Sequence, residues 1–275
     1  FFRSAPNVER IIILDKKKAA GHWVELWRQV AGTHWDLVID IRGSALAWLL
    51  RARRRVVYNR GLETGLRKVE MVSRMMGAAA PLDPEIFLDG QAVAERDAVL
   101  DPQLAEGSGP GPIIALAPIA HQPGKSWPAD RWGELVERLK AEPRFDGWRF
   151  MAVGGPGDRA PATPALQAAG PRAIDFVGKG DILASAAAID AAALFVGNDS
   201  GLMHVAAALG RPTLGLFGPT EWWLYGPWGP RTRIAASNET QGQFAPIEAL
   251  TVDRVFDAVL DLHDAYIGGR APLKP

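Results

Sequence analysis

Five short runs of mainly apolar residues in the second half of the chain constrain its fold more than any other feature. They are Ile113–Ala117, Arg149–Val153, Ala173–Val177, Ala193–Val196 and Thr213–Phe217. Each run has the length of a strand, and helical patterns at 129–139, 182–189 and 201–209 lie between them. Because continuous apolar strands must be covered on both faces, this alternation predicts a parallel sheet between two layers of helices.

The first half of the chain shows a weaker form of the same alternation. Strands are predicted at 8–14, 37–41 and 55–58, and helices at 22–30, 45–53 and 62–76. The segment EGSGPGP (106–112) has three Gly and two Pro, so it cannot continue a helix or a central strand. We therefore predict one domain at 1–107, a second at 108–251, and a C-terminal segment at 252–275. The helix predicted at 252–266 is expected to pack back on the first domain.

Composition excludes several classes of function. The chain of 275 residues has 31 Lys plus Arg and 31 Asp plus Glu, so no net charge favours nucleic acid as a partner. It has no cysteine, which excludes disulfides, zinc knuckles and a Cys nucleophile and is consistent with the cytoplasm. No apolar run approaches the roughly 18 residues of a membrane span. The start, FFRSAP, lacks an initiator Met, and we expect further residues upstream of Phe1.

Ligands of parallel sheets bind beyond the carboxyl ends of the strands, where the loops of the second half carry polar side chains. The residues expected at this edge are Lys125, Asp158, Asp199, Ser200 and His204. Asp199 or Ser200 would cap a helix that starts at Gly201, and the partial positive charge of that helix start suits an anion. The alternative is that the cap is only structural and that His204 is a core histidine. Asp199 would repel a bare phosphate, so a diphosphate joined to a polyol, as in a sugar nucleotide, fits best.

These residues also carry a family resemblance. FVGNDSGLMHVAAALGRPTLGLFGPT (195–220) resembles the signature of the ADP-heptose:lipopolysaccharide heptosyltransferases. Three further blocks resemble the same family in order and spacing: PIAHQPGKSWP (118–128), GGPGDR (154–159) and DLVIDIRGS (36–44). The resemblance implies the α/β GT-B architecture, in which two Rossmann-like parallel-sheet domains face a cleft, with the acceptor on the first domain and the sugar nucleotide on the second.

The resemblance also implies roles for individual residues. Lys125 and His204 would stabilise the leaving diphosphate, with Ser200 and Gly201 beside them. Asp158 would lie near the nucleoside, and Asp199 would bind hydroxyls of the donor sugar. In the first domain, Arg42 and Ser44 would contact the acceptor. The family's general base is expected upstream of Phe1, and Asp40 is a weak substitute.

The implied reaction is an inverting, metal-independent transfer of heptose from ADP-heptose to the lipopolysaccharide core, without a cofactor. A D-x-D triplet is absent. Two alternatives remain: a sugar-nucleotide epimerase of the same fold, and a non-catalytic protein that binds the sugar nucleotide. The missing G-x-G-x-x-G fingerprint disfavours an NAD dehydrogenase.

The basic runs and the tryptophans each have a structural and a functional interpretation. The basic runs 16–18 and 51–55 have two interpretations, a solvated face or a surface attracted to anionic lipopolysaccharide, with peripheral contact to the inner membrane. Trp27 and Trp132 lie on helical stripes and are predicted to be core residues. Trp222, Trp223 and Trp228 are expected to cover either a ligand or a domain interface.

Overall fold

The computed structural model describes residues 2–15, 21–59, 61 and 65–268. By its internal contacts the chain forms two compact units, Phe2–Asp83 and a second that begins at Pro84. The basic run 16–18 and residues 62–64 of a predicted helix lie outside the described residues. No described helix is long and apolar enough to cross a bilayer.

The first unit contains a two-stranded parallel sheet with helices before, between and after its strands. Its elements are α1 (Gly21–Val30), β1 (His34–Asp40), α2 (Leu46–Leu49), β2 (Arg51–Val57) and α3 (Lys68–Met76). The strand predicted at 8–14 is absent, and the helix predicted at 45–53 ends at Leu49, because Arg51 already pairs with His34 of β1. Trp27 is 42% exposed, so the prediction that it is a core residue was wrong.

The second unit is built on a six-stranded parallel sheet. In chain order its strands are β3 (Ile113–Ala117), β4 (Arg149–Gly154), β5 (Ala173–Val177), β6 (Leu194–Asn198), β7 (Thr213–Phe217) and β8 (Thr232–Ala236). Their spatial order is β5-β4-β3-β6-β7-β8. The chain therefore reverses direction across the sheet between β3 and β6, and such a switch point leaves a crevice at the carboxyl ends of these strands.

Helices cover both faces of this sheet. They are α4 (Gly90–Glu106), α5 (Ala129–Ala141), α6 (Arg159–Ala169), α7 (Ile182–Asp190), α8 (Gly201–Ala208), α9 (Trp222–Tyr225) and α10 (Val252–His263). One apolar core joins the sheet to α5 and α10 around the fully buried Trp132, as predicted for that residue. A second joins the opposite face to α4, α7 and α8 around Phe176 and Met203. The predicted α/β fold class with parallel sheets is confirmed.

The division between the compact units differs from the predicted boundary at residue 107. Helix α4 packs against α7 and β5, so it belongs with the second sheet. The EGSGPGP segment that follows is held by the buried Arg149, whose guanidinium donates to the carbonyl oxygens of Gln103 at 3.0 Å and Gly109 at 2.8 Å. A segment fixed in this way lies inside a unit, and the division falls between Asp83 and Pro84.

The C-terminal helix packs within the second unit, where α10 lies on α5, β7 and β8. Its packing on the first domain stays a prediction. Its apolar stripe, Val255, Val259 and Leu262, is fully buried in the core on that face. The reason is that β7 and β8 need cover on this side, since apolar strands of a parallel sheet are buried on both faces.

Candidate functional site

The carboxyl ends of β3 and β6 bring together two of the predicted site residues. Lys125, in the loop after β3, places its Nζ 2.7 Å from Oδ2 of Asp199, which directly follows β6. Both side chains are largely removed from solvent, with 18% of Lys125 and 7% of Asp199 exposed. An ammonium group has three donors, so Lys125 can hold Asp199 and still donate to a ligand.

The loop that carries Lys125 is fixed to the sheet by its own hydrogen bonds. The backbone N–H of Trp127 donates to Oδ1 of the fully buried Asn198 at 3.0 Å, and the Trp127 indole N–H donates to the carbonyl oxygen of Leu250 at 2.8 Å. Ser126 closes the loop on itself, because its hydroxyl donates to the carbonyl oxygen of Ala120 and accepts from the Ala120 N–H. The position of the loop that carries Lys125 is therefore set by the fold.

The start of α8 has no side-chain cap. Ser200 occupies the cap position with extended backbone, yet its hydroxyl makes no capping bond. Among the described residues that buried hydroxyl oxygen has no hydrogen-bond partner. A Cβ built on Gly201 would meet nothing within 4 Å. The first-turn N–H groups of α8 therefore open on space that a ligand anion could fill.

Helix α7 provides a contrast on the same edge of the sheet. Its start is capped by Asp181, whose Oδ1 accepts from the N–H groups of Leu183 at 2.8 Å and Ala184 at 2.9 Å. A carboxylate at this position already neutralises the helix end and repels a second anion. Of these two neighbouring helix starts, α8 is the one suited to bind phosphate.

The exposure of His204 disagrees with the alternative that it is a core histidine. Its side chain is exposed, so it is not a core histidine. It lies on the first turn of α8, one turn beyond the uncapped start. Together with the absent cap at Ser200, this exposure favours an anion site over a purely structural cap.

A cavity of about 340 Å³ adjoins the start of α8. Its lining includes Ser200 and Gly201, together with Asp158 and His121. Asp158 is 7% exposed, and its Oδ2 accepts from the backbone N–H of Gly155 at 2.7 Å. The other oxygen, Oδ1, lies 3.8 Å from Nε2 of His121, so one carboxylate oxygen still faces the cavity side.

The predicted acceptor residues lie in a tight turn of the first unit. Asp40 accepts from the backbone N–H of Arg42 at 2.8 Å and from both the N–H and the hydroxyl of Ser44 at 2.6 Å. Burial opposes ionisation of Asp40, but the hydrogen bonds from Ser44, Arg42 and Gly43 outweigh it and lower its pKa. A carboxylate stabilised in this way is a weak base. The Ser44 hydroxyl is engaged by Asp40, whereas Arg42 is exposed.

Several residues of the site were missed by sequence reasoning. Thr220 donates from its hydroxyl to Oδ2 of Asp199 at 2.9 Å. Asn198, Asp181 and Ser126 fix the surrounding loops. Hydroxyl and carboxamide side chains are common in loops, so the sequence alone does not separate these residues from ordinary loop residues. Only their hydrogen-bond partners in the folded structure do so. No described group of three or more His, Asp or Glu side chains could hold a metal ion, and metal independence stays a prediction.

The sequence-family model of glycosyltransferase family 9 (heptosyltransferase) matches residues 23–246. The chain belongs to this family. The match covers the polar edge of the second unit together with most of the first unit, so the resemblance seen in four sequence blocks extends across most of the chain.

The similarity of this family 9 chain to curated relatives is moderate. It is 28% identical over 229 residues to lipopolysaccharide heptosyltransferase 1 of Pseudomonas aeruginosa, which covers 76% of the chain and 61% of that relative. It is 33% identical over 119 residues to lipooligosaccharide heptosyltransferase 2 of Haemophilus influenzae, which covers 41% of the chain and 33% of that relative. The chain thus spans less than two thirds of the length of these relatives.

Solved structures confirm the GT-B fold class of the family 9 chain. A glycosyl transferase family 9 protein from Veillonella parvula superimposes with a TM-score of 0.78 at 20% identity, covering 95% of this chain and 84% of the other. ADP-heptose lps heptosyltransferase II of E. coli superimposes with a TM-score of 0.66 at 20% identity, covering 88% and 80%.

Proposed function

We propose that this family 9 protein transfers heptose from ADP-heptose to the inner core of lipopolysaccharide, with inversion and without a metal ion. The observation that carries the proposal is the uncapped start of α8, with an open Gly201, beside the Lys125–Asp199 pair. Family membership supports the reaction class, and names of relatives supply the heptose and the lipopolysaccharide.

The site divides naturally between the parts of such a donor. The diphosphate would lie at the start of α8, where it accepts from backbone N–H groups, the Ser200 hydroxyl, Lys125 and His204. The nucleoside would enter the adjoining cavity, with Asp158 near its hydroxyl groups. The sugar would extend toward Asp199, whose carboxylate accepts hydrogen bonds from hydroxyls and would repel phosphate.

The chemistry follows from this arrangement. An acceptor hydroxyl attacks the anomeric carbon from the face opposite the diphosphate, the new C–O bond forms as the bond to the phosphate oxygen breaks, and the configuration inverts. Negative charge grows on the departing ADP, where Lys125, His204 and the α8 N–H groups stabilise it. The base that takes the hydroxyl proton is not assigned to Asp40, because its lowered pKa makes it a poor proton acceptor.

Exposed arginines support the acceptor side of the proposal. Arg51, Arg53 and Arg54 on β2 are exposed and would attract an anionic lipid surface in peripheral contact with the membrane. Sedimentation with vesicles of phosphatidylglycerol, compared with phosphatidylcholine vesicles, tests this. We expect selective, salt-sensitive binding to the phosphatidylglycerol vesicles, which Arg53→Gln and Arg54→Gln should weaken. Equal binding to both vesicle types would contradict the proposed membrane contact.

The reaction is tested by ADP release from ADP-heptose in the presence of lipopolysaccharide that lacks heptose. We expect ADP release to require the acceptor and to persist in EDTA. The product should have an inverted anomeric centre by NMR. Asp199→Ala should reduce kcat/KM far more than Asp101→Ala, the matched change at an exposed aspartate on α4. Conversion of the donor without acceptor would instead indicate an epimerase, and binding without turnover a non-catalytic protein.

A further inference from the structure

Thr220 is linked to the proposed donor site through Asp199. Its hydroxyl donates to Oδ2 of Asp199 at 2.9 Å, the same oxygen that accepts from Lys125 Nζ at 2.7 Å. The two donors come from different loops: Lys125 follows β3, and Thr220 follows β7 on the other side of β6. The carboxylate is therefore held from both sides of the strand that carries it.

The loop that presents Thr220 is itself well fixed. Gly218 lies against Ile247 so closely that a Cβ on the glycine would come within 2.6 Å of the Ile247 Cβ. Two residues after Thr220, the Trp222 indole N–H donates to the carbonyl oxygen of Asn238 at 3.2 Å. The hydroxyl of Thr220 is thus placed by packing on both sides of it in the chain.

Two donors on one oxygen determine how the carboxylate presents the other. An ionised carboxylate has about four acceptor positions on its two oxygens. No described residue donates a side-chain hydrogen bond to Oδ1 of Asp199, whereas the bonds from Lys125 and Thr220 both end at Oδ2. With Oδ2 engaged and the side chain 7% exposed, Oδ1 is the oxygen available to a ligand hydroxyl.

We propose that Thr220 is a positioning residue of the donor site, which orients Asp199 toward the sugar of the donor. This rests on the function proposed above, in which Asp199 binds donor hydroxyls. Thr220 acts on the sugar through Asp199 and does not touch it directly. Its loss should therefore weaken recognition of the sugar and leave recognition of the nucleoside diphosphate intact.

The experiment compares the affinities of the full chain for ADP and for ADP-heptose by isothermal titration calorimetry. The variants are Thr220→Val, which removes the hydroxyl at nearly constant volume, and Thr220→Ser, which keeps it. Thr213→Val is the matched control, because Thr213 is buried at the opposite end of β7 and its hydroxyl donates to the carbonyl oxygen of Arg211 at 2.8 Å.

We expect Thr220→Val to weaken ADP-heptose binding about tenfold, as for loss of one hydrogen bond to a charged group, with ADP binding within about twofold of wild type. Thr220→Ser should restore the sugar preference, and Thr213→Val should not alter it. Equal effects on both ligands, no effect on either, or failure of the serine variant to restore binding would overturn the proposal. If the wild type binds ADP-heptose no more tightly than ADP, the proposed function itself is overturned.

Discussion

Replacing Lys125 with Met tests the pair at the centre of the donor site. The substitution keeps an unbranched side chain that is one atom shorter, and it removes the charge that faces Asp199 at 2.7 Å. The Asp199 carboxylate would then remain 7% exposed with the Thr220 hydroxyl as its described side-chain donor. A nearly buried carboxylate with one neutral donor is poorly solvated, so the folded state should lose stability.

The size of this loss can be estimated from the geometry. The direct attraction at 2.7 Å is about 6 kcal/mol at an effective dielectric constant of about 20. Desolvation offsets much of this, and removing one partner of a buried pair costs about 3–5 kcal/mol. Because Lys125 retains 18% exposure, we expect the lower end, about 3 kcal/mol. For a unit of this size the melting temperature should fall by about 6–12 °C.

The assay is thermal unfolding with and without ADP. Wild type should gain about 2.7 kcal/mol at an ADP concentration of 100 times Kd, and at the same ADP concentration Lys125→Met should gain much less because a donor to the diphosphate is gone. Lys179→Met, which changes an exposed lysine on the loop after β5, is the matched control and should change stability by less than about 0.5 kcal/mol. If Lys125→Met unfolds like wild type and ADP stabilises both equally, the ion pair and its role at the site are refuted.

Three further predictions follow from single residues. Gly201→Ala should leave the free energy of unfolding unchanged, because a Cβ at this position meets no protein atom within 4 Å, and it should lower ADP affinity at least tenfold by calorimetry. Gly157 is equally open but does not line the cavity, so the control Gly157→Ala should change neither the stability nor the affinity. Arg149→Met should lower the free energy of unfolding in urea by about 3 kcal/mol, since buried carbonyl oxygens lose a charged donor, and a wild-type midpoint would contradict this. The lowered pKa of Asp40 stabilises the fold above about pH 4, and this contribution is lost as pH falls through the folded pKa. The stability difference between wild type and Asp40→Asn should therefore shrink in acid, and a constant difference from pH 7 to pH 2 would be inconsistent with it.

The second sheet could be predicted almost completely from the sequence, because its strands are continuous apolar runs. Strand β3 and strand β5 begin and end at the predicted residues. Strand β8 was missed because it carries Thr and Arg and so lacks a continuous apolar run. Helix α4 was missed because Pro102 and a weak apolar stripe obscure its period, although it supplies the buried Ala92 and Leu100.

The first unit shows where local pattern fails. The run RARRR at 51–55 forms most of β2, although its charges give no strand pattern and we predicted the start of it as helix. Pairing with β1 decides the outcome here, because backbone hydrogen bonds of a parallel ladder do not depend on side-chain polarity. Strand propensity depends strongly on such tertiary context.

The site itself was only partly predictable. The residue types at the ends of β3 and β6 indicated an anion and a polyol, and the resemblance supplied the reaction. The contact between Lys125 and Asp199 joins residues 74 positions apart, and neither its distance nor the role of Thr220 has a sequence signal. The missing cap of α8 is also invisible in the sequence, because Ser200 is a typical capping residue that here does not cap.

The central claim is that the start of α8 binds the diphosphate of a sugar nucleotide. Hydrogen–deuterium exchange of the full chain with and without ADP measures this at the amides concerned. We expect slower exchange in peptides that cover Ser200 to Met203 and the Lys125 loop, with no change along α10. Unchanged exchange at α8 under saturating ADP, or protection confined to other segments, would contradict it.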